Sequence, residues 1–225
     1  MRLIVHDSPP DVAVNAAKRI RDLISKGSGR VSLGLAGGGT PRDTYHELRT
    51  MDVDWERVDA WLSDERWVPH HDERCNGLMA ENSLLDHVDA SFHRPQWSES
   101  VSPDEAAAQY EEEVRSIFSG GRADLVLLGV GADGHTASLF PGTAAMEERD
   151  RWIVANEVPD LYETRITATY PLLWGARNVV FLVTGMRKAQ AVRDSFAGKT
   201  PAGHVGEGSG EVEWHVDRAA ASLIG

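Results

Sequence analysis

The apolar and polar positions of this chain alternate between two periods. Residues 3–5 form a short apolar run that reads as a strand, and Ser8 with Pro9 then supplies an N-cap and a proline at the first helical position. Behind that cap Val12, Ala16, Ile20, Leu23 and Ile24 recur at the spacings of a helix face, and Gly27 and Gly29 end the run. Residues 31–35 predict a second strand that feeds Gly37-Gly38-Gly39-Thr40-Pro41, after which Tyr45 and Leu48 open another helical face. Residues 58–62 predict a third strand, ending in a charged loop, Ser63-Asp64-Glu65-Arg66. Ser102-Pro103-Asp104-Glu105 spells a capping box with proline at its first helical position, so a helix is expected to about residue 118.

Residues 125–130 and 178–184 are almost purely aliphatic, as strands covered on both faces of a parallel sheet are. The second leads into a helix predicted over 188–196, the glycine-rich stretch 198–210 reads as a loop, and 214–216 leads to a short last helix. Strand, loop and helix repeated in this way define βαβ units, hence an α/β fold whose mostly parallel sheet has helices on both faces. The expectation is a single domain over 1–225, with ligands at the carboxyl ends of the strands.

Composition narrows the function. A net charge of −12 disfavours nucleic acid and anionic membrane as partners, since both repel an acidic surface. An anionic ligand would therefore need a small local cluster of Lys and Arg. No apolar run approaches the length of a membrane span, and residues 1–7 enter a strand without the apolar stretch of a secretory leader. The single cysteine, Cys75, excludes an internal disulfide and fits a reducing compartment, so a cytoplasmic protein is expected.

Four loops carry the unusual residues. In Gly37 to Pro41 the glycines bare backbone N–H groups and the following helix offers its positive end, which suits a phosphate; the plainer alternative is a tight turn with Thr40 as a cap. Asp64-Glu65-Arg66 reads on its own as a solvated loop, but it follows a strand beside the glycine loop, where Arg66 can fork onto oxygens. Gly129-Val130-Gly131-Ala132-Asp133-Gly134-His135 brackets an acid and an imidazole with glycines. Of nine histidines this one has a context: it can take a proton near neutral pH, and a nearby carboxylate can fix its tautomer. Arg165-Ile166-Thr167 and Gly185-Met186-Arg187-Lys188 make up the fourth. A lysine at a helix start opposes the macrodipole, which favours a ligand over a surface role for Lys188.

Taken in order, these motifs resemble the 6-phosphogluconolactonase family over essentially the whole chain. Gly129 to Pro141, ending His135-Thr136-Ala137-Ser138-Leu139-Phe140-Pro141, is the most specific element. The resemblance implies a Rossmann-like α/β fold shared with amino-sugar-phosphate deaminases and ribose-phosphate isomerases. It also implies hydrolysis of a phosphorylated sugar lactone in the pentose phosphate pathway, without metal or organic cofactor. By the same likeness His135 is the general base and Arg66, Lys188 and the glycine loop contact substrate, with Asp133 the candidate orienter of the imidazole. Gly38, Gly39, Thr40, Arg165 and Lys188 are then candidates for the phosphate, and Arg66 or loop N–H groups for the oxyanion, with Asp64 beside them. Cys75-Asn76 departs from a more usual Ser-Asn, and Trp174-Gly175 from a small or polar pair. The expected assembly is a monomer or small homo-oligomer.

Two rival readings remain. A glucosamine-6-phosphate deaminase shares the glycine loop and the Asp-Gly-His element but is expected to carry a glutamate where Phe140 stands. A non-catalytic sugar-phosphate sensor domain of a transcription regulator is expected to carry a DNA-binding module upstream, for which a strand at residue 3 leaves no room.

Overall fold

The apolar runs become the strands of one sheet. The computed structural model describes residues 1–27 and 29–224. Along the chain come β1 (Arg2–His6), α1 (Pro9–Lys26), β2 (Val31–Leu35), α2 (Gly39–Leu48), β3 (Val58–Leu62), β4 (Asp64–Arg66), α3 (Asn76–Ser83) and β5 (Ser91–His93). Then follow α4 (Pro103–Ile117), β6 (Leu125–Leu128), β7 (Ile153–Val158), β8 (Glu163–Ala168), α5 (Tyr170–Gly175), β9 (Asn178–Val183), α6 (Ala189–Phe196), α7 (Pro201–His204) and β10 (Glu211–Asp217). Seven strands pair in the order β1-β10-β9-β6-β2-β3-β5, every neighbouring pair parallel. The other three form a small antiparallel sheet, β4-β8-β7.

Side chains of the central strands alternate between two cores, as the period of two requires. Leu33, Leu35, Leu62, Leu125 and Leu127 join Ile20, Tyr45 and Ala80 in one. Trp61, Val126, Leu128, Phe181 and Trp214 join Tyr110, Leu172, Val192 and Ala202 in the other. Helices α1 to α3 thus cover one face and α4 to α7 the opposite one, the α/β architecture expected from the sequence. The local signals act as read: Ser8 caps α1 with proline behind it, and Ser102 and Glu105 complete a reciprocal capping box on α4. No helix among the described residues is long and apolar enough to cross a membrane.

Four expectations are corrected. Asp64–Arg66, read as a charged loop, is strand β4, held by β8 with Asp64 opposite Thr167 and Arg66 opposite Arg165. The stretch 198–210, read as a loop, contains α7 and a 3-10 turn, Val205–Glu207, and Thr200 caps α7 by accepting from the Gly203 N–H. A side chain at Gly203 would put its Cβ 2.4 Å from the Ser195 carbonyl oxygen, so this glycine permits close packing rather than motion. The predicted last helix is absent: residues 218–223 form turns, anchored where the Asp217 carboxylate accepts from the Ala220 N–H at 2.8 Å. Finally, the helix expected from 188 begins at Ala189, after a 3-10 turn, Met186–Lys188, that leaves Lys188 at its N-cap.

The strand order sets the position of any ligand. From β2 the chain moves outward to β3 on one side, and β6 returns on the other, so the order reverses between β2 and β6. A crevice opens at such a reversal, outside the carboxyl ends of the strands. The loops that leave β2, β3, β6 and β9 all emerge there.

Candidate active site

The four loops line one cleft of about 290 Å³. Its wall includes Gly37, Gly38, Gly39 and Thr40 after β2, Asp64 and Arg66 on β4, His135 and Ala137 after β6, Arg165 on β8, and Thr184 and Lys188 after β9. Asp133 is held through His135. Every candidate residue named from the sequence therefore lies in or against the same space, together with Asn76, Thr184 and Ala137, which sequence reasoning did not assign to it.

The loop after β6 is a compact frame around the imidazole. Gly131 N–H donates to the His135 carbonyl at 2.8 Å, Gly134 N–H donates to the Gly131 carbonyl, and Gly134 takes a positive φ of 84° that favours glycine. Thr136 Oγ1 donates to the Gly129 carbonyl at 2.8 Å and ties the loop back to the end of its strand. Ala137 sits at φ 46°, a left-handed conformation that costs a non-glycine residue about 1 kcal/mol or more, and strain of this kind collects at functional sites. His135 Nδ1 lies 2.6 Å from Asp133 Oδ1, and the ring stacks on Phe140 at 4.0 Å between centroids. An ionised carboxylate only accepts hydrogen bonds, so Nδ1 carries the proton and Nε2 keeps its lone pair. Such an imidazole is set up to take a proton.

The cations stand around this imidazole. Thr40 Oγ1 and Thr184 Oγ1 meet at 2.8 Å, which brings the start of α2 beside the turn that carries Lys188. Lys188 is half-buried. Loss of hydration holds its ammonium below the usual lysine range, Asp133 opposes this, and Arg187 reinforces it. Arg66 and Arg165 face each other across β4 and β8. Arg165 is buried and fixed by Glu163 at 2.7 Å, with Asp64 at 3.8 Å. Asp64 is itself buried and accepts from Ser138 Oγ at 2.8 Å, which fixes this part of the wall. Arg66 Nη1 donates to Asn76 Oδ1 and, at 2.9 Å, to the Arg74 carbonyl. The formal charge of −12 thus has its local positive exception, as an anionic ligand demands.

The cleft combines an imidazole held by a carboxylate, a helix start with bared glycines, and three cations. This arrangement suits the class of α/β proteins that handle phosphorylated sugars. Residues 7–214 match the family described as glucosamine-6-phosphate isomerases/6-phosphogluconolactonase, and the chain belongs to that family. A 6-phosphogluconolactonase of Nostoc sp. is 34% identical over 216 residues, covering 90% of this chain and 88% of the relative. Another, from Synechocystis sp., is 36% identical over 209 residues, covering 87% and 85%. The solved 6-phosphogluconolactonase of Trypanosoma brucei superposes with a TM-score of 0.87 at 26% identity, over 100% of this chain and 98% of that one.

Proposed function

We propose that this chain hydrolyses 6-phospho-D-glucono-1,5-lactone to 6-phosphogluconate, the lactone-opening step of the oxidative pentose phosphate pathway, with His135 as general base. The observation that carries the proposal is the Asp133–His135 pair in the same cleft as the glycine loop and the cations. His135 Nε2 takes a proton from water as the water oxygen bonds to the lactone carbonyl carbon. Negative charge builds on the carbonyl oxygen, where Arg66 or a loop N–H donates to it. The bond from that carbon to the ring oxygen then breaks, and the imidazolium returns its proton to the departing oxygen. The acid so formed ionises to the carboxylate. A δ-lactone is an activated ester, so base assistance of about 10²–10⁴-fold plus positioning suffices without a covalent intermediate. Gly38, Gly39, Thr40, Arg165 and Lys188 hold the phosphate.

Phe140 argues against the deaminase reading. It is buried and stacked flat on His135, where that chemistry is expected to need an acid. The test is consumption of the lactone against its spontaneous rate, beside ammonium release from glucosamine 6-phosphate. Acceleration of the first and none of the second is expected; the reverse result rejects the proposal.

Lys188 gives the phosphate assignment its own pH signature. A lysine whose pKa is lowered keeps its charge below that value and loses it earlier than an ordinary lysine as pH rises. Affinity for 6-phosphogluconate should therefore be full near neutrality and fall on the alkaline side before a normal lysine would titrate. Lys188→Ala should bind about 10- to 100-fold more weakly at pH 7, as loss of a charge-assisted hydrogen bond implies, and should lack the alkaline fall. Calorimetric titration at stepped pH measures both; unchanged affinity in the variant removes Lys188 from the phosphate site.

A further inference from the structure

Arg165 reaches the cleft as half of an ion pair, but Arg66 does so without one. Among the described residues no carboxylate pairs with the Arg66 guanidinium; Nη1 is held by the Asn76 amide oxygen and the Arg74 carbonyl, and the buried Nε has no partner. Its holder is itself tightly held. Asn76 is 2% exposed, its N–H donates to Glu65 Oε1 at 2.7 Å, and its Nδ2 donates to the Asp64 carbonyl at 2.9 Å. From the other side the glycine loop closes on it: a Cβ at Gly37 would lie 2.0 Å from Asn76 Oδ1.

Behind Asn76 stands a buried anion. Glu65 is 5% exposed and accepts from the N–H groups of Arg66, Asn76 and Gly77, each at 2.7 Å, and from Cys75 Sγ at 3.1 Å. One side chain thus locks the backbone on both sides of the Arg66–Asn76 contact. Four donors and the start of α3 satisfy this carboxylate, and it forms no ion pair with the Arg66 guanidinium.

A carboxylate in place of Asn76 would accept from Arg66 but offset its charge, and it would lack the donor that Asn76 gives the Asp64 carbonyl. A neutral amide holds it and leaves the charge for a ligand. We infer that Asn76, anchored by Glu65, is a positioning residue for the proposed reaction: it aims the Arg66 guanidinium into the cleft and holds it without a counter-charge. The inference rests on the reading of the cleft given above.

A double-mutant cycle separates this role from a general structural one, because residues acting through one another give non-additive losses. Arg66→Ala should lower kcat/KM by about 100-fold, the scale of a lost oxyanion donor. Asn76→Ala should lower it by about 10- to 100-fold through misplacement of Arg66. The double variant should lie within about threefold of Arg66→Ala alone. Asn76→Asp keeps the acceptor, sets a counter-charge on the guanidinium and gives up the Nδ2 donor to the Asp64 carbonyl, so it should lose about tenfold or more, with its melting temperature read alongside. Losses that multiply in the double variant, or wild-type activity in Asn76→Asp, overturn the inference. If Asn76→Ala does not fold, Asn76→Ser enters the same cycle. A wild type without lactonase activity would be a failure of the functional proposal instead. In that case the Arg66 Nε–H nitrogen resonance, identified by its loss in Arg66→Ala, is read in the free protein: a sharp wild-type signal that broadens in the Asn76 variant supports the inference, and an unchanged one rejects it.

Discussion

Replacement of His135 by alanine is expected to lower the enzyme-dependent rate of lactone opening at least about a hundredfold while 6-phosphogluconate still binds. The proton acceptor at Nε2 disappears, but the groups proposed for the phosphate lie on other elements: the start of α2, β8 and the turn before α6. The ring also contributes packing, since it stacks on Phe140. That contribution is small where the imidazole is partly open to solvent, so the melting temperature should move little. The measurement is the initial rate over the spontaneous background, with product affinity determined calorimetrically on the same preparation. Near-normal turnover would reject His135 as the base. Loss of product binding along with turnover would mean that the ring shapes the cleft rather than moves a proton.

Most of the large sheet was legible because its strands are buried on both faces. β6 and β9 have almost no polar residue to write into the sequence, so they appear as apolar runs. Helices α1 and α4 declare themselves through their caps. The small sheet was not legible for the opposite reason. β4 is three charged residues, and what makes it a strand is distant: Ser138 on Asp64, the amides of α3 on Glu65, and β8 alongside. No local pattern carries those partners. The glycines of 198–210 misled in a related way, since a glycine required by close approach looks the same in sequence as one required for flexibility. Asn76 stood out only as half of the Cys75-Asn76 pair, with no role attached. Only its distance from a buried glutamate eleven positions earlier gives it meaning, and that distance exists only in the fold. The site itself was more legible than the scaffold around it, because ligand-facing loops combine glycine with chemistry-bearing residues that a plain turn does not need.

Gly131→Ala is expected to remove most of the same activity without replacing any reacting group. The backbone there needs no positive φ, so alanine is tolerated as a conformer. Space is the obstacle: a Cβ at this position would lie 2.1 Å from His135 Nδ1 and 2.3 Å from Asp133 Oδ1. Both are the ends of side chains with room to move, His135 at 29% and Asp133 at 48% side-chain exposure, so the clash is relieved by swinging them apart rather than by unfolding. What is lost is the hydrogen bond that fixes the tautomer and aims Nε2. A base displaced by about 1 Å costs on the order of a hundredfold, so kcat should fall about 10- to 100-fold with KM and melting temperature close to wild type. The pair Gly131→Ala and His135→Ala should then be no worse than His135→Ala alone, because the glycine acts only through the imidazole. A large drop in melting temperature for Gly131→Ala, or full activity in that variant, would show that the close packing of glycine against the Asp133–His135 pair is not what holds the base in place.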